Sequence, residues 1–274
     1  MTSHGTLVHL TIRSYELVRE MRLIVYLPPL YGRYPLSYPA LYLLHPWGAD
    51  ERCWVEEIGL CETADHLIEM GAVPPFVGVM PQGDKSFFID AANPHGDYRG
   101  ITQLDPAHFA GALEGCGDYG RYLLNDVLGE VERRYAVRRD RAGRVIAGVG
   151  MGGAGAGVLA FSHPELFGAV GMHSPTLFDE TQLGPPWIFG LGDEAAFAQR
   201  DPVSLAARLD RRRCPRIFLD HGLEDEAASA CAALHDVLEA RGLTHVYHSR
   251  AGQSSADVWR GCLAEYLGFY AAGW

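Results

Sequence analysis

The run Arg144-Val-Ile-Ala-Gly148-Val-Gly150-Met-Gly152-Gly153-Ala-Gly-Ala156 reads as an apolar strand turning through glycines into a helix of small residues. Two chemistries use that geometry. Gly148-x-Gly150-x-x-Gly153 matches the fingerprint that seats a dinucleotide pyrophosphate on a helix N-terminus. That use needs an acid at the end of the next strand to hold the ribose. The next apolar run ends instead in Met172-His173-Ser174, and Asp179 and Glu180 come several residues too late. The other use is a nucleophile elbow, G-x-S-x-G, in which a serine at a sharp strand-to-helix turn attacks an acyl carbon. Here the five residues are Gly148-Val149-Gly150-Met151-Gly152, and Gly150 stands where the serine would be. Glycine has no side chain to ionise, so covalent catalysis from that position is excluded. Glycine also relieves the backbone strain, about 1–3 kcal/mol, that a serine there must carry.

The elements that must position this turn show in the hydrophobic pattern. Residues 6–13 and 21–27 alternate in polarity, which predicts two antiparallel strands. Residues 40–44, 76–80, 144–147, 168–172 and 216–219 are short apolar runs, the pattern of strands covered by helices on both faces. Amphipathic segments lie between and after them at 61–71, 117–136, 152–162, 202–211, 227–241 and 257–271. In the second of these Tyr119, Leu123, Val127 and Val131 share one face. The order predicts an α/β fold: a mostly parallel, doubly wound sheet of about eight strands with an antiparallel N-terminal pair, in one domain over 1–274. Ligands of such sheets bind at the carboxyl ends of the strands. That edge holds His45-Pro-Trp47-Gly48, Pro81-Gln-Gly-Asp84, residues 148–153, His173-Ser174 and residues 220–225. Segment 91–116, rich in Gly, Pro, Asp and His, is expected to be a loop over it. Asp84, Lys85 and Ser86 read as a solvated charged turn.

Composition bounds the partners. The chain has 274 residues, 48% hydrophobic and 21% charged, which is a globular mixture. Its 23 basic against 34 acidic residues leave a net charge of −11, which repels phosphate backbones, so no nucleic-acid partner is expected. No apolar run approaches the ~20 residues of a spanning helix. Met1-Thr-Ser-His4 opens no basic-then-apolar signal, so a cytoplasmic location without membrane contact is expected. Cys53, Cys61, Cys116, Cys214, Cys231 and Cys262 show no CxxC spacing, which argues against a zinc site or a disulfide framework. Neither metal nor cofactor is expected.

Ala147-Gly-Val-Gly-Met-Gly-Gly-Ala-Gly-Ala156, followed by His163-Pro-Glu-Leu-Phe-Gly-Ala-Val170, resembles one esterase branch of the α/β-hydrolases. That branch holds S-formylglutathione hydrolase (esterase D), feruloyl esterases and mycolyltransferase-like proteins. Its elbow usually reads A-G-x-S-M-G-G-x-G-A, with H-P-x-x-F after it. Tyr26-Leu-Pro-Pro, Tyr42-Leu-Leu-His45, Val79-Met-Pro81, Asp220-His-Gly-Leu-Glu-Asp225 and Gly252-Gln-Ser-Ser-Ala-Asp-Val-Trp259 match in type and order. The resemblance implies an α/β-hydrolase fold and serine–histidine–acid chemistry. Position by position it puts the acid on Asp225 and the oxyanion N–H donors on Met151 and the Pro46-Trp47-Gly48 turn. The histidine of the usual G-G-H-x-x-x-x-W motif falls on Ser254 when counted back from Trp259, and on Gln253 when matched to the preceding glycine. Neither is histidine.

With two triad members missing, the expectation is an esterase-family fold with a degenerate triad. Such a chain is a non-hydrolytic pseudoenzyme or binds a small acyl or ester-like ligand. The alternative is an ester or acyl hydrolase working through water or a non-standard base, with His173 as the stand-in. A nucleotide-binding α/β protein is the second alternative. Ser174 otherwise reads as a turn serine before Pro175, and His45 as architectural beside the oxyanion turn. Asp225 also has the type and place of an N-cap for a helix starting near Ala227.

Overall fold

The computed structural model describes residues 4–92, 115–178, 185–190 and 192–274. Most of the loop expected at 91–116 therefore lies outside the described residues. The two alternating segments form β1 (Thr6–Ser14) and β2 (Arg19–Leu27), paired antiparallel from Thr6 opposite Leu27 to Ser14 opposite Arg19. The apolar runs form β3 (Ala40–Leu44), β4 (Val77–Pro81), β5 (Arg144–Val149), β6 (Ala169–His173) and β7 (Arg216–Gly222). Every residue of β3, β4 and β6 is buried, as strands covered on both faces require. An eighth strand, β8 (His245–Arg250), has no apolar run to announce it. It lies at the sheet edge, where half-covered positions accept His, Tyr, Ser and Arg.

The sheet order is β1-β2-β4-β3-β5-β6-β7-β8. β2 is antiparallel to β4, and every neighbouring pair from β4 to β8 is parallel. The chain crosses from β3 to β4 in one direction, then returns past β3 to lay β5 on its other side. That reversal is a topological switch point, where the loops leaving adjacent strands part and open a crevice. Because Leu44 pairs with Gly148, the turn after β3 and the turn after β5 emerge side by side. Topology alone thus brings Pro46 of the first turn beside Gly150 of the second.

Two cores flank the sheet. On one face lie Met151, Ala154, Val158 and Leu159 of the elbow helix Met151–Ser162, with Tyr119, Leu123, Val127 and Val131, the face read from the sequence. On the other lie Leu60 and Ala64 of the helix Leu60–Glu69 and Leu263, Tyr266, Leu267 and Tyr270 of the C-terminal helix Ala256–Ala271. Asp201 caps the helix Pro202–Arg208 by accepting the Val203 and Ser204 N–H groups.

Helix propensity does not make the elbow helix, since a glycine costs about 1 kcal/mol against alanine in a helix interior. Close approach does. A Cβ added to Gly148 would lie 2.2 Å from the Gly152 carbonyl carbon, and one added to Gly152 would lie 2.4 Å from the Leu44 carbonyl oxygen. Alanine at either position must push backbone apart. We expect little folded protein, or melting lower by roughly 5–15 °C, when Gly148→Ala or Gly152→Ala is followed by circular dichroism. Gly150→Ala, with its nearest contact 3.2 Å away on Pro46, should melt closer to wild type. Equal losses at all three positions would contradict this account of the turn.

Candidate active site

Gly150 holds φ +56° and ψ −120°, a conformation that side-chain-bearing residues rarely adopt. Its N–H donates to the His173 carbonyl at 2.9 Å, and its own carbonyl accepts from Thr176 N–H at 3.0 Å. An added Cβ would aim between Pro46, at 3.2 Å, and the Thr176 hydroxyl, at 3.7 Å. Gly150 thus sits at a sharp strand-to-helix bend with no side chain to present.

Next to it, Met151 begins the elbow helix, so its N–H has no acceptor within that helix. Among the described residues neither Met151 N–H nor Trp47 N–H donates to a protein acceptor. The partial positive charge of the helix N-terminus favours a negative group beside Met151 N–H. His45 braces the turn that carries Trp47. Its Nδ1 lies 2.9 Å from the Pro46 carbonyl, its Nε2 accepts Gly83 N–H at 3.0 Å, and Phe88 packs edge-on at 5.0 Å. A carbonyl can only accept, so the ring is neutral with its proton on Nδ1. Burial lowers its pKa, outweighing the Pro46 carbonyl that favours the charged form.

The 82–88 segment corrects the expectation of a solvated charged turn. Asp84 contacts Arg19 and the Tyr119 hydroxyl and accepts from Gln82 Nε2 at 2.9 Å. Ser86 is fully buried, donating to the Gly83 carbonyl and accepting Phe88 N–H. Only Lys85 serves the edge: its Nζ stands 5.8 Å from the ring of Trp47, which is 47% exposed.

At the acid position, Asp225 accepts Gly222 N–H at 2.8 Å, Ser254 N–H at 2.8 Å and the Ser254 hydroxyl at 2.6 Å. Ser254, rather than Gln253, therefore faces the acid. The Ser254 hydroxyl also contacts that of Ser174, which accepts from Trp259 Nε1 at 3.2 Å. A chain of two hydroxyls thus runs where an imidazole would bridge acid and nucleophile. The N-cap reading of Asp225 is corrected too: the helix Ala228–Ala240 starts after Ala227 without a side-chain cap, and the carboxylate is spent on Gly222 and Ser254.

The His173 backbone meets Gly150, but its imidazole is engaged elsewhere. It is wholly buried and stacks on Tyr266 at 3.6 Å. Nδ1 lies 2.9 Å from Asp220 and Nε2 2.6 Å from the Tyr270 hydroxyl, so both nitrogens are engaged on the C-terminal-helix face. Burial pushes the Asp220 carboxyl up, but His173, Tyr266 and Arg250 together outweigh it and hold the group below its ordinary value. His221 turns from Asp225 to the Tyr247 hydroxyl, 2.9 Å away.

The cavity among Phe87, Thr176, Leu177, Phe178 and Phe189 holds about 10 Å³, no more than a single water needs. A larger hollow of about 320 Å³ adjoins Arg216 and His245 at the opposite ends of β7 and β8. Among the described residues no helix is long and apolar enough to cross a membrane.

Comparison with known proteins places these features. A family model described as Putative esterase matches residues 14–270. An endo-1,4-beta-xylanase/feruloyl esterase of Xylanibacter ruminicola is 26% identical over 201 residues, covering 70% of this chain and 25% of that protein. An uncharacterized protein of Corynebacterium glutamicum is 26% identical over 261 residues, covering 90% of this chain and 56% of that one. The chain thus spans a quarter and about half of the lengths of these relatives. A solved ferulic acid esterase shares the fold, with TM-score 0.80 and 22% identity over 99% of this chain and 100% of that one.

The state of His45 has a measurable consequence. Its pKa is lower folded than unfolded, so the unfolded chain takes up a proton first as pH falls through about 6.5, and stability declines with it. Urea unfolding between pH 8 and pH 5 should show a steeper loss of stability on acidification for wild type than for His45→Gln. An equal slope in the two proteins would contradict the neutral, buried imidazole.

Proposed function

The chain belongs to the Putative esterase family, and on that premise we propose that it is a degenerate-triad α/β-hydrolase. In this reading it does not hydrolyse through a serine and instead binds a small acyl or ester-like ligand without covalent attack. The observation that carries the reading is Gly150, an elbow residue in elbow geometry with no nucleophile. Ser254 supports it, because a hydroxyl bonded to Asp225 cannot serve as a base near neutral pH. The N–H groups of Met151 and Trp47 would receive a carbonyl or carboxylate oxygen. Trp47, with Lys85 Nζ 5.8 Å from its ring, would offer an exposed surface for the rest of the ligand.

The two alternatives gain no support from the site. Water-based hydrolysis needs a free base, and both nitrogens of His173 are held by Asp220 and Tyr270. The dinucleotide reading still lacks an acid at the end of β6, where the chain continues as His173-Ser174.

The test restores what is absent. On p-nitrophenyl acetate the wild-type chain should show no burst and should resist fluorophosphonate labelling. Gly150→Ser with Ser254→His should gain a burst and a rate roughly 10³-fold or more above wild type, because the acid and the two N–H donors are in place. Gly150→Ser alone should gain far less. A stoichiometric acyl adduct on the wild-type chain would overturn the reading. A folded but inert double variant would remove Gly150 and Ser254 as the triad positions.

A further inference from the structure

At the opposite edge of the sheet, three metal-ligating side chains converge that the elbow does not use. His235 and Glu239 lie one turn apart on the helix Ala228–Ala240, and His245 is the first residue of β8. His235 Nδ1 stands 2.8 Å from His245 Nε2, and Glu239 Oε1 lies 3.9 Å from that same nitrogen. One ligand atom from each residue falls within 4.8 Å of the others.

The tautomer of His245 is settled by its other nitrogen. Nδ1 lies 2.8 Å from the Leu243 carbonyl, which can only accept, so Nδ1 carries the proton and Nε2 offers a lone pair toward His235. Metal-bound histidines are held in this way, with the second ring N–H donated to a carbonyl or carboxylate. The His235 ring is fixed as well, lying flat on Tyr247 at 4.0 Å with 8° between planes. Glu239, 66% exposed, is free to swing, whereas the His245 side chain is 1% exposed. Two imidazoles in place and one adjustable carboxylate make a nearly complete coordination set.

We propose that His235, Glu239 and His245 bind a divalent transition-metal ion of the zinc class and so staple the helix Ala228–Ala240 to the edge strand β8. Two nitrogens and one carboxylate favour zinc, cobalt(II) or nickel(II) over calcium or magnesium, which prefer all-oxygen shells. Metal–nitrogen bonds of about 2.0–2.1 Å in tetrahedral geometry set the two nitrogens roughly 3.3 Å apart. The pair therefore opens by about 0.5 Å, Glu239 turns inward, and a water takes the fourth position. The sequence expectation of no metal rested on cysteine spacing, which a site built from histidines escapes. The proposal is independent of the esterase-type reading.

The test uses the untagged full chain, stripped with chelator and titrated with cobalt(II) while visible d–d absorption is followed, with zinc then added as competitor. One equivalent per chain should bind, and excess zinc should raise the melting temperature by roughly 5 °C or more. Glu239→Gln should weaken cobalt(II) binding by roughly 10-fold or more, and His235→Gln should weaken it further and abolish the zinc-induced rise. The exposed Glu239 side chain can be changed without unfolding the protein, so the result at that position decides the matter even where a histidine variant is unstable. No cobalt(II) spectrum, or wild-type affinity in both variants, would overturn the proposal.

Discussion

The site depends on one steric constraint: the end of β5, the first turn of the elbow helix and the end of β3 lie too close together for any side chain between them. Gly152 runs against the Leu44 carbonyl, and Gly148 against Gly152 itself. The same Leu44 oxygen accepts from the Trp54 indole at 3.0 Å, so the contact is anchored from the other face of the sheet as well. This packing sets the turn whatever residue occupies position 150. The flanking glycines, rather than the residue at 150, shape the bend. It also keeps the start of the helix at Met151 beside the turn that His45 braces.

Around that bend the polar groups divide into two networks. Asp225, Ser254, Ser174 and Trp259 form a half-buried chain along the ligand edge. His173, Asp220, Tyr266, Tyr270 and Arg250 form a buried one against the C-terminal helix. A buried carboxylate is tolerated only where its charge is met by donors, and Asp220 has three. Those donors commit His173 entirely. An imidazole that completes a buried network in this way has no lone pair to offer a substrate.

The backbone frame was readable in advance because its causes are local. Strands covered on both faces must be apolar along their whole length, which marked β3 to β7, and a turn with no room for Cβ atoms must be glycine, which marked the elbow. β8 escaped because an edge strand is covered on one side and takes polar residues. Asp225 and Ser254, paired by the order of motifs along the chain, do meet in the structure.

What spacing could not convey was where each polar side chain points and what it meets there. His173 ends β6 at the ligand edge, yet its direction was decided by Tyr266 and Tyr270, nearly a hundred residues away. Asp84 looked solvated until Arg19 and Tyr119 arrived from two other elements. His235 and His245 are close in sequence but meet only because a helix end and a strand start are packed together. Residue order by itself determined the sheet and the glycine bend at 148–152, since these arise from burial and sterics repeated along the chain. Only the tertiary structure chose between Gln253 and Ser254 and withdrew His173 from the site, because polar groups are satisfied by partners that the chain brings together after it folds.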